Sequence, residues 1–211
     1  PRRRGIVASV DGERIFAFAT QTKPGESLET MTKDDAANMF REALGRDDIP
    51  FTITGFDTWT SGRALVAPSY GQGRVLMGGD AVHLFTPTGG MGYNTAVEDA
   101  VSVGWKYAAV LRGDAPPELL QSYEAERRPA ALRNTAFAAA FADSVGLYVP
   151  SPALEQDSPA GELSRRRAGA YLADHGRNEF TIPGFTLGVR YDGSPIIIDD
   201  GTRKPPDKPS V

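Results

Sequence analysis

GRVLMGGDAVHLFTPTGGMGYNTAVEDA, Gly73 to Ala100, places an apolar run, one carboxylate, a histidine, a proline and five further glycines ahead of a helical pattern. Arg74 to Met77 is short, apolar and bounded by glycines, which predicts a fully buried strand. The backbone after Met77 would then emerge at the carboxyl edge of a sheet, where ligands sit in open α/β folds. Gly78 and Gly79 clear side chains from that edge, and Asp80 sets a carboxylate beside the gap. A carboxylate accepts hydrogen bonds from hydroxyls, so sugars and polyols are its natural partners. The second cluster, Thr86 to Thr95, bares Gly89, Gly90 and Gly92 just before the helix. A helix N-terminus carries unpaired N–H donors and about half a positive elementary charge, so it takes an anion or stabilises negative charge developing on a ring. Pro87 stiffens the approach, and Asn94 is placed to cap the helix or touch a ligand.

Competing chemistries are weaker. Asp80 and His83 form D-x-x-H, with Glu98 and Asp99 downstream, but the chain has only 2 histidines, and a metal site is not expected. His83 reads as a hydrogen-bonded structural residue that supports the motif from beneath. Gly90-Met91-Gly92 supplies only the first two glycines of G-x-G-x-x-G, far from any tight strand-to-helix turn. There is no Gly-Lys-Ser or Gly-Lys-Thr for a P-loop and no G-x-S-x-G elbow.

The bulk composition agrees with a globular binding protein. The 211 residues are 40% hydrophobic and 24% charged, with a formal net charge of −4, so no global field draws the chain to nucleic acid or anionic lipid. The triplets Arg2-Arg3-Arg4 and Arg165-Arg166-Arg167 read as solvated faces. With no cysteine, disulfides, thiolate metal sites and cysteine nucleophiles are excluded. No apolar run approaches the roughly 20 residues that span a bilayer, and no signal peptide is visible; a cytoplasmic protein without membrane partners is expected.

Along the chain, Gly5 to Thr20 reads as a hairpin about a tight turn at Asp11-Gly12. Thr32 to Leu44 reads as a helix with Thr32 as N-cap, Asp35 completing a capping box, an apolar stripe of Ala36, Met39, Phe40 and Ala43, and Gly45 at its end. Phe51 to Tyr70 suggests strands. Tyr93 to Leu111 is the clearest helix, with Val97, Ala100, Val101, Gly104, Ala108 and Leu111 on the expected buried face and Gly113 as stop. A helix from Glu118 to about Val145 is expected to kink or split at Pro129, with Glu124 and Arg128 as an i,i+4 pair. Ala160 to His175 reads as a further helix, and Phe180 to Val189 and Ile196 to Ile198 as strands.

Together these residues resemble a known family. Gly79-Asp80-Ala81-Val82-His83 and Pro87-Thr88-Gly89-Gly90-Met91-Gly92-Tyr93-Asn94, followed by LLQSYEAERRP at Leu119 to Pro129, are similar to the second FAD-binding motif of the class A flavoprotein monooxygenases. These are the para-hydroxybenzoate hydroxylase-like enzymes; the flanking segments, including LGVRYDGSPIIIDDGT, resemble their phenol and polyketide hydroxylase branch. The resemblance implies an α/β (α+β) fragment of a two-domain FAD-binding hydroxylase fold. Residues 1–70 would end a substrate-binding sheet, 71–146 would hold the FAD motif and following helices, and 147–211 a C-terminal helix, strands and the start of a linker. It implies that Asp80 binds the ribityl chain of FAD beside Gly79. Gly89, Gly90, Met91, Gly92, Tyr93 and Asn94 would put backbone N–H groups on the pyrimidine edge of the flavin, with the Pro87 carbonyl on the substrate side. It further implies NADPH or NADH and O2 as co-substrates, a flavin C4a-hydroperoxide, and hydroxylation of a small aromatic, phenolic or polyketide ring, the cofactor carrying the chemistry. Phe16, Phe18, Phe51, Phe56, Trp59 and Tyr70 are candidates to face or support the ring pocket, ordinary packing being the commoner role for each. No acid, base or nucleophile is assigned.

The family's opening G-x-G-x-x-G unit and middle D-G motif find no counterpart here. An interior fragment is therefore expected, one that alone binds FAD weakly or not at all, with an N-terminal FAD-binding segment or a second copy of the chain as candidate partner. A non-catalytic remnant, one chain of a split flavoprotein, and a flavoprotein that inserts no oxygen are the alternatives.

Overall fold

The structure is a computed structural model that describes residues 3, 5–58, 64–204 and 206–208. The chain divides into two compact units, Pro1–Thr60 and Ser61–Val211.

In the first unit, β1 (Gly5–Ser9) and β2 (Phe16–Thr20) form the expected antiparallel hairpin, with Val7 opposite Phe18. Its turn is longer than the dipeptide suggested. The Asp11 carboxylate accepts the N–H groups of Glu13, Arg14 and Ile15 at 2.9 Å each. Gly12 is the loop's one positive-φ residue, so the loop closes through the Asp11 side chain instead of a two-residue turn. Helix α1 (Lys33–Leu44) carries the predicted capping box: Thr32 Oγ1 accepts from Asp35 N at 3.2 Å, and Asp35 takes the Thr32 N–H at 2.9 Å. Gly45 closes it in the left-handed region. Met39 is buried, and Phe40 packs against Phe18 and Phe51 at ring distances of 5.0 and 4.8 Å. Phe18 and Phe51 thus serve the packing of this unit. Arg3 corrects the solvated-face reading of its triplet: it is buried between Glu26 and Glu42, while Arg2 and Arg4 lie outside the described residues. Residues 51–58 form no strand, since Phe51 turns to α1 for burial; Trp59 lies outside the described residues.

The second unit is mainly helical. Strand β3 (Leu65–Val66) pairs antiparallel with β6 (His83–Leu84), and β4 (Gly71–Gln72) with β5 (Val75–Leu76). The fully buried strand expected at Arg74 to Met77 is corrected. It is one arm of a small hairpin turned at Gly73, and Val75 is 69% exposed. Helix α2 (Met91–Arg112) ends at a left-handed Gly113 as predicted. Helix α3 (Gln121–Leu147) runs through Pro129 unsplit. Losing one helical hydrogen bond there is offset by tertiary anchorage on both sides, Tyr123 and Arg127 before the proline and Ala130 and Ala131 after it, all buried. Helix α4 (Pro159–Phe180) is capped by Ser158, with the proline at its first turn, and continues past the predicted end at His175. The strands expected at Phe180 to Val189 and Ile196 to Ile198 are absent; α5 (Pro183–Thr186) turns Phe185 into the core, and Ile198 is exposed. No helix among the described residues is long and apolar enough to cross a membrane.

Tyr70, Val82, Tyr123 and Ala131 form one core cluster, and Met91, Ala138, Ile182 and Phe185 another. Helix α2 reverses the expected pattern. Thr95, Asp99, Ser102 and Lys106 are its buried side, whereas Val101 is 66% and Trp105 47% exposed. The polar face turns inward because α3 supplies opposite charges for it: Lys106 pairs with Glu126, and Asp99 with Arg127.

Candidate functional site

The Gly-Gly-Asp turn follows β5. Gly78 is extended, and a Cβ there would stand 2.7 Å from Tyr123 Oη, so no larger residue fits without displacing a buried ring. Gly79 has φ +62, a left-handed conformation that glycine adopts without cost, and it opens a single 3-10 turn, Gly79–Ala81. The turn closes where Val82 N donates to Gly79 O at 2.9 Å. Asp80 sits in its middle, exposed, and its carboxylate has no hydrogen bond or ion pair among the described residues. The chain then enters β6.

A second 3-10 turn, Thr88–Gly90, follows Pro87 and delivers the chain to α2 through two successive left-handed glycines, Gly89 (φ +79) and Gly90 (φ +66). Gly90 is the N-cap, so no side chain caps the first turn of this 22-residue helix. The first-turn N–H groups of a helix find no acceptor within the helix itself. Asn94 corrects the capping expectation: it lies inside the first turn, and its Nδ2 donates back to the Gly90 carbonyl at 2.8 Å. Met91 sends its side chain into the core, Tyr93 and Asn94 stay exposed, and Gly92 meets Phe85 closely enough that a Cβ would come within 3.3 Å.

Both turns share α2. A Cβ on Gly79 would stand 3.3 Å from the Cβ of Ala96, one helical turn beyond Gly92. The Asp80 turn therefore rests on the flank of the helix whose mouth the Gly89-Gly90 turn opens.

Behind them lies a polar network that sequence reasoning did not find as such. Asp99 is 1% exposed; its Oδ2 accepts the Gly79 N–H at 3.0 Å and His83 Nε2 at 2.8 Å, and its Oδ1 accepts Arg127 Nε at 2.8 Å. Because a carboxylate only accepts, His83 carries its proton on Nε2 there. His83 is buried edge-on against Phe85, with Nδ1 unpartnered among the described residues, and so supports the motif from beneath as expected. Arg127, buried outright, also reaches Glu98 at 2.8 Å, the Thr95 carbonyl at 3.3 Å and Tyr191 Oη at 3.1 Å. Burial pushes the Asp99 carboxyl up, but the hydrogen bonds from His83 and Arg127, then Gly79 and the guanidinium charge, outweigh it and hold the group below the usual carboxylate range. Beside it, Glu126 takes the Lys106 ammonium and the Ser194 hydroxyl, the latter at 2.6 Å. Glu124 and Arg128 do not pair along the helix. Glu124 accepts from Ser69 Oγ and Tyr70 N, and Arg128 donates to the Ala67 carbonyl, so both pin the β3–β4 connection onto α3. One signal for this network was available: polar residues at four-residue helical spacing, Thr95 to Asp99 and Ser102 to Lys106, trace a stripe along α2. Among the described residues, no three His, Asp or Glu side chains gather as metal ligands do.

Fold and site together present an uncapped helix mouth, entered through left-handed glycines, and an unpaired carboxylate on a turn seated against the same helix. The chain belongs to the FAD binding domain family, which it matches over residues 2–138. It is similar to a putative polyketide hydroxylase of Streptomyces coelicolor, at 41% identity over 64% of this chain and 22% of the relative. It is similar to a phenol 2-monooxygenase of a Pseudomonas species, at 33% identity over 90% of this chain and 33% of the relative. Among solved structures, the rebeccamycin biosynthetic enzyme RebC with reduced flavin aligns with TM-score 0.77 and 32% identity, covering 94% of this chain and 37% of that one. The flavin-dependent monooxygenase PieE, in complex with FAD and substrate, aligns with TM-score 0.75 and 27% identity over 96% of this chain and 37% of that one. The chain thus spans about a fifth to a little over a third of these relatives and has the mixed helix and strand architecture of a piece of the hydroxylase fold.

Proposed function

We propose that the chain forms part of an FAD-dependent monooxygenase that hydroxylates a phenolic, aromatic or polyketide ring with NADPH or NADH and O2. The observation that carries the FAD assignment is the unpaired Asp80 carboxylate on a turn seated against α2, whose own mouth has no side-chain cap. The donor set fits the cofactor. Asp80, beside Gly79, would take ribityl hydroxyls, and the backbone around Gly89, Gly90, Met91, Gly92, Tyr93 and Asn94 would meet the polar edge of the ring, with Pro87 on the substrate side. The positive end of the α2 dipole favours negative charge there. When bound, FAD supplies the redox chemistry, accepting hydride from the nicotinamide and activating dioxygen. This chain's residues bind, orient and neutralise. On the same reading, residues 1–70 belong to the substrate side, 71–146 to the FAD side, and 147–211 to a closing helix and connecting tail. A cytoplasmic location is part of the same proposal, and the use of a soluble nicotinamide co-substrate supports it.

Flavin fluorescence quenching, measured on the whole protein of which this chain forms part, follows the binding. Asp80→Ala should weaken FAD about tenfold or more, the loss of one or two hydrogen bonds to a charged acceptor; unchanged affinity would remove the assignment. Oxygen uptake that requires NADPH or NADH and rises with a phenolic substrate tests the monooxygenase reading, and uptake indifferent to any aromatic compound would refute it.

A further inference from the structure

We propose that Asp99 is the positioning residue of this site: it brackets Asp80 from both sides and fixes where that carboxylate stands. The inference rests on the FAD reading of Asp80 and adds a residue to it.

Asp80 has no contact that holds its own carboxylate among the described residues, so its position is inherited from the backbone on either side. Gly79, one residue before, gives its N–H to Asp99 Oδ2 at 3.0 Å. His83, three residues after, gives Nε2 to the same oxygen at 2.8 Å. Gly78 rests on the Asp99 side chain, where an added Cβ would lie 3.4 Å from Asp99 Cβ. One buried oxygen thereby ties both ends of the turn to α2. The other oxygen is held by Arg127 Nε at 2.8 Å, and Arg127 is itself fixed to Thr95 and Tyr191. The bracket cannot rotate without breaking a buried charge pair, which is costly. Gly79, His83 and Arg127 all act as donors toward Asp99. An amide in its place must therefore turn an NH2 either toward Gly79 and His83 or toward Arg127, and both orientations set donor against donor.

Hydrogen exchange and FAD titration of wild type, Asp99→Asn and Asp99→Asn/Arg127→Met test this, each made in the whole protein of which this chain forms part. In Asp99→Asn, the Gly79 amide should exchange about tenfold faster relative to amides in the middle of α3, the equivalent of one lost hydrogen bond. The Kd for FAD should rise about tenfold or more, as it does when a group supporting a ligating residue is removed. Adding Arg127→Met vacates one side, so the NH2 of the introduced amide can turn there and its oxygen can face Gly79 and His83. Gly79 protection and FAD affinity should then recover to within about threefold of wild type, roughly the threshold at which a hydrogen bond counts as restored. If Asp99→Asn alone does not fold, the double variant carries the test through its Gly79 exchange. Equal acceleration of Gly79 and α3 amides would mean that Asp99 supports the fold at large, and would overturn the proposal. So would local acceleration at Gly79 with unchanged FAD affinity. Should Asp80→Ala leave FAD affinity untouched, the FAD reading itself fails, an outcome separate from any effect at Asp99.

Discussion

Gly78→Ala is the most direct probe of how tightly the Gly-Gly-Asp turn is seated. Gly78 is extended (φ −154, ψ 170), so alanine meets no backbone strain and its effect is steric. The new Cβ would stand 2.7 Å from Tyr123 Oη. Carbon contacts are comfortable at about 3.5 Å, an overlap of roughly 0.8 Å. Tyr123 has little room to retreat. It is fully buried, its ring centroid lies 5.8 Å from that of Tyr70, and its hydroxyl donates to the Met77 carbonyl at 3.0 Å. Overpacking at such a site costs about 1–3 kcal/mol, and displacing the hydroxyl adds about 1 kcal/mol. We expect Gly78→Ala to lose about 2–4 kcal/mol on that basis. Tyr123→Phe alone should lose about 1 kcal/mol, the Met77 hydrogen bond. With the hydroxyl gone, the nearest atom to the new Cβ is Asp99 Cβ at 3.4 Å, an ordinary contact. The double variant should therefore be more stable than Gly78→Ala alone, with a coupling of about 2 kcal/mol. Urea unfolding followed by far-UV circular dichroism, which α2, α3 and α4 dominate, reads all three. Additive losses, or a Gly78→Ala cost below about 0.5 kcal/mol, would refute the steric account.

Gly89→Ala should lose about 1–2 kcal/mol by the same measurement, from its φ of +79 and not from crowding, since its nearest neighbour, Phe141, would lie at 3.7 Å. Thr32→Ala removes a capping box and should cost about 1 kcal/mol, seen as faster amide exchange confined to the first turn of α1. Stability should fall in acid: the Asp99 carboxyl is held below its ordinary value in the folded chain, so its contribution is complete above about pH 4 and drains away as pH drops through the folded pKa. Asp11 and Asp35, held low by backbone and Thr32 hydrogen bonds, act in the same direction. A urea midpoint that rises as the pH is lowered from 5 to 3 would contradict this, those bounds lying about one unit either side of an ordinary aspartate pKa.

What can be read from the sequence is what neighbours along the chain decide. Thr32, Asp35 and Gly45 specify α1 locally, and Gly113 stops α2, because capping involves residues three or four apart. The mouth of α2 is legible for the same reason: Gly89 and Gly90 leave few other conformations. What partners distant in the chain decide is not legible. Apolar spacing assigns Val97 and Val101 to the core, yet burial goes to Asp99 and Lys106, whose counter-charges lie some twenty to thirty residues away on α3. The β-rich composition of Phe180 to Val189 is overridden once Pro183 can start a helical turn that buries Phe185 against Phe137. Within the candidate site, the two glycine turns and Asp80 announce themselves in the sequence, whereas the rear wall behind them shows there only as polar spacing on α2, its partners emerging with the fold.

The segment around Tyr191 and Ser194 has a role that its irregular backbone disguises. These two residues cover buried ions, Arg127 and Glu126, whose other partners sit on α2. Clipping the polypeptide ahead of Tyr191 would let water into the seam between α2 and α3, so a protease nick or an engineered stop there would be felt along α2 rather than at the terminus.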